Sequence, residues 1–229
     1  MIFSNKKEKI PTNFSVQING EPVSQVDSTK YLGVLLDHRL TFRQHTHYIA
    51  QKLIRGNNLI SRLRHFVSSE LLVTFYHSHF HSHLNYCSNS WGSAAKSYIQ
   101  VLSELQDKAL YLISFQKITS DNKDSLYKKY KILSVNKTIF FNRCSFIWKV
   151  VHNVFDQCTC EKFSSLLKHP EFTQNKRFIL PFRETSAGKQ SLTFCGIKQW
   201  NRLSSDIVSL TAYPLFKKSC RLYLSRVTL

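Results

Sequence analysis

At 229 residues, 42% apolar and 13% aromatic, the chain carries enough hydrophobic material for a buried core, which excludes wholesale disorder. Its 32 Lys and Arg against 14 Asp and Glu leave a formal charge of +18, so the partner to expect is a polyanion, nucleic acid or an anionic membrane surface. No apolar run is long enough to span a bilayer, and the stretch from Met1 to Lys9 is too short and too basic for a signal peptide. That favours nucleic acid and an intracellular protein, nuclear or cytoplasmic, with no membrane partner.

Residues 1–40 read as β. Ile2-Phe3 is a strand fragment, and Lys6 to Lys9 is a basic turn. Phe14, Val16 and Ile18 alternate with polar residues as a half-buried strand does. Asn19-Gly20 then supplies a two-residue hairpin turn, with Val23 to Val26 as the return strand. A third strand spans Lys30 to Asp37, and Gly33 inside it marks a bulge or a close backbone approach.

From Thr41 the period becomes helical. Ile49, Leu53, Ile60, Leu63 and Val67 share one face, while Lys52, Arg55 and Arg62 form a basic stripe on another. The stripe is either an ordinary solvated face or a track for phosphates. Ser68 caps the next helix, sending Leu71, Leu72, Phe75 and Tyr76 into the core. His77, His79, His81 and His83 form two i,i+4 pairs that face different ways. Without a neighbouring Asp, Glu or Cys they read as packed or phosphate-touching histidines rather than metal ligands.

Trp91-Gly92 breaks the pattern, and Ser93 caps a helix that buries Ile99, Leu102, Leu105, Ala109 and Ile113. Residues 117–125 read as a loop, followed by a short helix at Leu126 to Tyr130. Ser134 caps a helix that turns Ile139, Phe140, Ile147, Val150 and Val154 inward. Residues 156–190 read as a linker and Ser191 to Phe194 as a short strand. Trp200 is a core anchor, and Phe216, Cys220, Tyr223 and Leu224 line a last helix opening near Pro214. The six cysteines are scattered and read as reduced thiols; Cys158-x-Cys160 lacks the second pair that zinc would require. Gly188-Lys189 is no Walker loop, because Arg183 stands where that pattern needs glycine.

Several short motifs recur in a fixed order: Met1-Ile2-Phe3-Ser4, Lys30-Tyr31-Leu32-Gly33-Val34 with Asp37, and Leu40-Thr41-Phe42. Ser82-His83-Leu84-x-Tyr86, Trp91-Gly92 and Leu105-Gln106-x-Lys108-Ala109 follow, then Arg183, Gly188-Lys189-x-Ser191 and Trp200-Asn201. Together they resemble the C-terminal portion of the reverse transcriptase, an RNA-directed DNA polymerase, of non-LTR (LINE-type, jockey-like) retrotransposons. Two positions depart from that pattern: Cys87 stands where the family commonly has glycine, and Ser204 where proline is usual.

The resemblance implies an α+β, mainly α fold. Residues 1–40 would be a residual palm and primer-grip segment, a small antiparallel hairpin or sheet edge. Residues 41–156 would be a thumb-like helical bundle, and 157–229 a linker and small mixed C-terminal extension. It implies a template–primer surface of RNA or DNA, for which Lys30, Tyr31, Gly33, Lys52, Arg55, Arg62 and Arg64 are the candidates. A polymerase also needs paired carboxylates holding two metal ions, in the family an aromatic-x-Asp-Asp motif expected upstream of Met1. None of the 14 acidic residues is adjacent to another. The expectation is therefore a truncated, non-catalytic fragment that binds nucleic acid. It would have no cofactor of its own, although the parent enzyme would use magnesium, and a palm-containing reverse transcriptase chain is a possible partner. The alternative is a domesticated protein-interaction scaffold.

Overall fold

Two consecutive residues with positive φ bend a chain in the sense that suits the twist of paired strands. This happens twice near the N-terminus, at Asn19-Gly20 (φ 53° and 84°) and at Leu32-Gly33 (φ 44° and 82°). The first turn pairs β1 (Val16–Ile18) with β2 (Glu21–Val23), and the second pairs β3 (Ser28–Tyr31) with β4 (Val34–Asp37), both antiparallel. The stretch from Lys30 to Asp37 is thus a hairpin rather than one strand, and Gly33 is its turn. The return strand of the first hairpin ends at Val23 instead of starting there. β1 and β2 are exposed throughout, so the alternation of Val16 and Ile18 is not answered by a covering layer.

The computed structural model describes residues 1–3, 15–159, 161, 163 and 177–227, and is 62% helical. The basic turn at Lys6 to Lys9, Phe14, and residues 160, 162 and 164–176 of the expected linker lie outside the described residues. The helices are α1 (Arg43–Leu63), α2 (Ser69–Tyr76), a π-helical turn (His77–His81), α3 (Ser82–Asn85), α4 (Ser88–Trp91) and α5 (Lys96–Ser114). They continue with α6 (Ser120–Lys129), α7 (Val135–Val151), α8 (Ser186–Gln190), α9 (Leu192–Trp200), α10 (Ser205–Val208) and α11 (Tyr213–Arg226). No helix among the described residues is long and apolar enough to cross a membrane.

Two hydrophobic cores meet along α7. The first joins β4 and α1 to α6 through Leu53, Ile60, Leu72, Tyr76, Phe80, Trp91 and Leu102, and takes Val135 and Ile139 from the start of α7. The second uses the rest of α7, from Phe140 to Val150, with Ile197, Trp200, Phe216, Cys220 and Leu224. A helix so hydrophobic around its circumference is stable only when covered on several sides.

Several local expectations change. Thr119 and Asn122 form a reciprocal capping box, so a helix begins at Ser120 within the supposed loop. Ser191 to Phe194 is the first turn of α9: the Ser191 hydroxyl accepts from the Phe194 N–H, and burial of Ile197 and Trp200 overrides a strand-like pattern. The helix after Gly92 is capped at Ala95, not Ser93. Val154 lies past the end of α7 and Leu71 on the outer face of α2, and both are exposed.

Candidate nucleic-acid interface

The interface is built on the junction between β4 and α1. The Asp37 carboxylate accepts from the N–H groups of Arg39, Thr41 and Phe42 and from the Thr41 hydroxyl, at 2.8–3.2 Å. These bonds hold a turn in which Leu40 and Phe42 both adopt left-handed backbone. Phe42 is buried, so the core secures the same turn from the other side. The His45 Nδ1 then accepts from the Leu35 N–H at 3.3 Å, docking β4 on α1. Burial lowers the pKa of His45, which keeps that nitrogen free to accept.

A second tie reaches the hairpin from further along the chain. Fully buried Trp91 donates its indole N–H to the Tyr86 carbonyl at 2.7 Å, and the Tyr86 hydroxyl donates to the Leu32 carbonyl at 2.6 Å. The Tyr86 ring also lies where a side chain at position 33 would project: a Cβ on Gly33 would stand 3.3 Å from its Cε1. The close approach that Gly33 permits is therefore made by a tyrosine of the same chain. Trp91 is followed by Gly92, where a Cβ would meet the Ser88 carbonyl at 2.3 Å and Ile139 at 2.8 Å.

Lys30 and Tyr31 end β3, and both are exposed. The Lys30 Nζ lies 5.8 Å from the centre of the Tyr48 ring, and the Lys52 Nζ lies 5.4 Å from the same ring, so one aromatic bridges the hairpin and α1. His83 adjoins this pair; its pKa is lowered by burial and then by the charges of Lys52 and His79. Arg55 and Arg62 continue the surface along α1 and are exposed. From Lys52 to Arg62 the helix rises about 15 Å, a length of duplex carrying on the order of nine phosphates.

An ordinary solvated helix face carries acids among its bases, because i,i+4 pairs stabilise it. α1 holds no Asp or Glu. The salt bridges among the described residues join Lys123 to Asp107 and Lys137 to Asp124, away from α1. Lys30, Lys52, Arg55 and Arg62 thus make no ion pair with a carboxylate among the described residues. Arg64 is set apart. It lies roughly 200° around the helix from Arg62, and its guanidinium stacks 3.9 Å from the Phe115 ring centre and 5.6 Å from that of Tyr111. It fastens the end of α1 to the end of α5. Tyr48 was absent from the candidates drawn from sequence, where only its i,i+4 spacing to Lys52 hinted at it; His83 figured there in the histidine run and Tyr86 in a motif, neither among the template–primer candidates.

The histidine run is reorganised by the π-helical turn, which changes the angular phase between its members. His79 stacks on Phe75 at 4.2 Å and His81 is half-buried beside Tyr76, with His77 edge-on to it at 5.5 Å. No group of three His, Cys, Asp or Glu side chains among the described residues is placed to hold a metal ion. The magnesium implied for the parent enzyme therefore finds no fit there.

Other motif residues serve the scaffold. Buried Gln106 donates to the Tyr76 hydroxyl at 2.7 Å and to the Leu133 carbonyl at 2.9 Å, and accepts from the Val135 N–H at 2.8 Å. It ties α2, α5 and the start of α7 together. The Asn201 amide pairs with both backbone groups of Phe178, at 2.7 and 3.1 Å, and its carbonyl accepts from Arg177.

These motifs form the joints between a basic helical surface and a small hairpin, and part of the sequence is similar to RNA-directed DNA polymerases of mobile elements. The chain is 33% identical over 102 residues to a probable RNA-directed DNA polymerase from the transposon X-element of Drosophila melanogaster, covering 43% of this chain and 11% of that protein. It is 34% identical over 116 residues to the RNA-directed DNA polymerase from mobile element jockey of the same species, covering 49% of this chain and 12% of the relative. The jockey polymerase of Drosophila funebris gives 34% identity over 103 residues. The chain thus spans about an eighth or less of the length of the curated relatives it matches. No family model and no solved structure matches it. The chain is similar to these polymerases over nearly half its length, whereas the motif resemblance runs along nearly all of it.

Proposed function

We propose that this chain is the thumb-side part of a reverse-transcriptase-derived protein, and that it binds template–primer duplex without polymerising DNA. The observation that supports this reading is the set of cations Lys30, Lys52, Arg55 and Arg62, which make no ion pair among the described residues, with Lys30 and Lys52 meeting at Tyr48. Phosphates would sit along α1, and exposed Tyr31 would meet the primer end beside the hairpin turn. Polymerisation needs carboxylates that hold two metal ions, and no two of the 14 acidic residues are adjacent in sequence. A palm-bearing polymerase chain is the partner proposed to supply them. The uncovered apolar side chains Val16, Ile18 and Val23 of the first hairpin support that contact.

The test is titration of an RNA–DNA primer–template duplex at two salt concentrations. Four phosphate contacts predict roughly a hundredfold loss of affinity between about 50 and 200 mM salt. The triple variant Lys52→Glu, Arg55→Glu, Arg62→Glu should bind far more weakly at low salt, with its melting temperature unchanged. Absence of binding by the native chain at low salt, or binding unaffected by the triple variant, would remove the reading. Primer extension by the chain alone would refute its non-catalytic part.

A further inference from the structure

The strongest concentration of charge outside the α1 surface lies in a cleft of about 580 Å³ between α6–α7 and α11. One wall carries Lys128, Lys131 and Lys137, and the facing wall carries Lys218, Arg221 and Arg226. Among the described residues one carboxylate, Asp124, lines the same cleft, and it stands 3.9 Å from Lys137. Between the cationic walls the lining is aliphatic, from Ile132, Leu133 and Leu222. Leu222 is 49% exposed, and Leu215, seven residues earlier on the same face of α11, is 55% exposed. This face of α11 thus presents exposed leucines with Lys218 between them.

These features select among anions. A single-stranded nucleic acid would need open aromatic faces on which to stack its bases. Tyr127 is the one aromatic side chain in the lining among the described residues; it is 5% exposed, and its hydroxyl donates to Asp107 at 2.8 Å. An aliphatic floor between rows of cations instead matches a ligand with apolar side chains on one stripe and carboxylates on both flanks. We propose that this cleft docks an acidic amphipathic helical segment of a partner protein. Leucine-like anchors at i and i+4 would enter against Ile132, Leu133 and Leu222. The partner's carboxylates would meet the Lys and Arg walls, which steer its approach and fix its register. This interaction is independent of the duplex surface on α1.

The probe is a synthetic amphipathic peptide with leucines at i and i+4 and flanking glutamates, labelled for fluorescence anisotropy, together with its Glu→Gln counterpart. The full chain should bind the glutamate peptide saturably at low salt, and the glutamine peptide at least about tenfold more weakly. Lys131→Glu with Lys218→Glu should weaken glutamate-peptide binding by a similar factor, and Leu222→Asp should abolish it. All three positions are exposed, so unchanged melting temperatures are expected to accompany these losses. The α1 triple variant should bind the peptide normally, so a failure of duplex binding and a failure of this docking are read separately. No saturable peptide binding, or binding indifferent to these substitutions, would overturn the proposal. Loss of oligouridine binding in the cleft variants, with peptide binding retained, would overturn it in favour of nucleic acid.

Discussion

The Tyr86 hydroxyl donates to the Leu32 carbonyl at 2.6 Å across 54 residues of sequence, and its ring covers the face of Gly33 that bears no side chain. Tyr86→Phe removes the bond and keeps the ring. Because Tyr86 is half exposed, the expected cost is about 0.5–1 kcal/mol. Gly33→Ala should cost about 1–2 kcal/mol, since alanine resists a φ of 82° and its methyl meets the ring. Urea unfolding measures both. Amide exchange across β3 and β4 should quicken in each variant, and equal stability of all three proteins would contradict the coupling.

Cys87 stands where the sequence resemblance implies glycine, and its φ of 48° is one that glycine adopts without strain. The exposed thiol has little to lose beyond its hydrogen bond with Tyr86. Cys87→Gly should therefore raise stability by about 1 kcal/mol in thermal unfolding. Ser204, where the resemblance implies proline, has a φ of −67°, the value a proline ring imposes. At both positions the backbone has a shape that suits the residue the resemblance implies. Destabilisation by Cys87→Gly would show that the left-handed turn is not intrinsic to the fold.

His81 predicts a pH dependence. Burial first, and then the charges of His77 and Arg221, push its pKa down from 6.5 to about 4. Above pH 6.5 folded and unfolded chains are both neutral at this site, and the stability it contributes is fully present. Between pH 6.5 and about 4 the unfolded chain takes up a proton that the folded chain refuses, so stability falls. The loss from this residue is at most about 3 kcal/mol. His77, His45 and His83 are shifted in the same direction and add to the decline. His81→Phe should flatten the profile of unfolding free energy between pH 7 and 4, and an unaltered slope would exclude His81 as its source.

Arg64 and the α1 face separate binding from stability. Arg64→Ala removes a guanidinium stacked on Phe115 and should cost about 1 kcal/mol of stability, with duplex affinity nearly unchanged. Arg55→Ala should do the reverse, because Arg55 is exposed and makes no ion pair among the described residues. Paired melting curves and duplex titrations of the two variants check this. Equal effects of both on affinity would return Arg64 to the binding surface.

Composition alone established a strongly basic chain with a core. The period of Ile49, Leu53 and Ile60 located α1 and its buried face, because helical geometry repeats locally and needs no distant partner. The same geometry aligned Lys52, Arg55 and Arg62. Tertiary structure decided what lay beyond the local repeat. Thr119 and Ser191 became helix caps because packing of the helices behind them outweighed weak local preferences. Arg64 left the basic group because α5 supplies aromatic rings on the opposite side of α1. The cleft of α6, α7 and α11 joins residues some 80 to 100 positions apart, which no short window contains. Gly33 shows both levels. Its sequence context announced a close approach, and only the fold identified Tyr86 as the group that makes it.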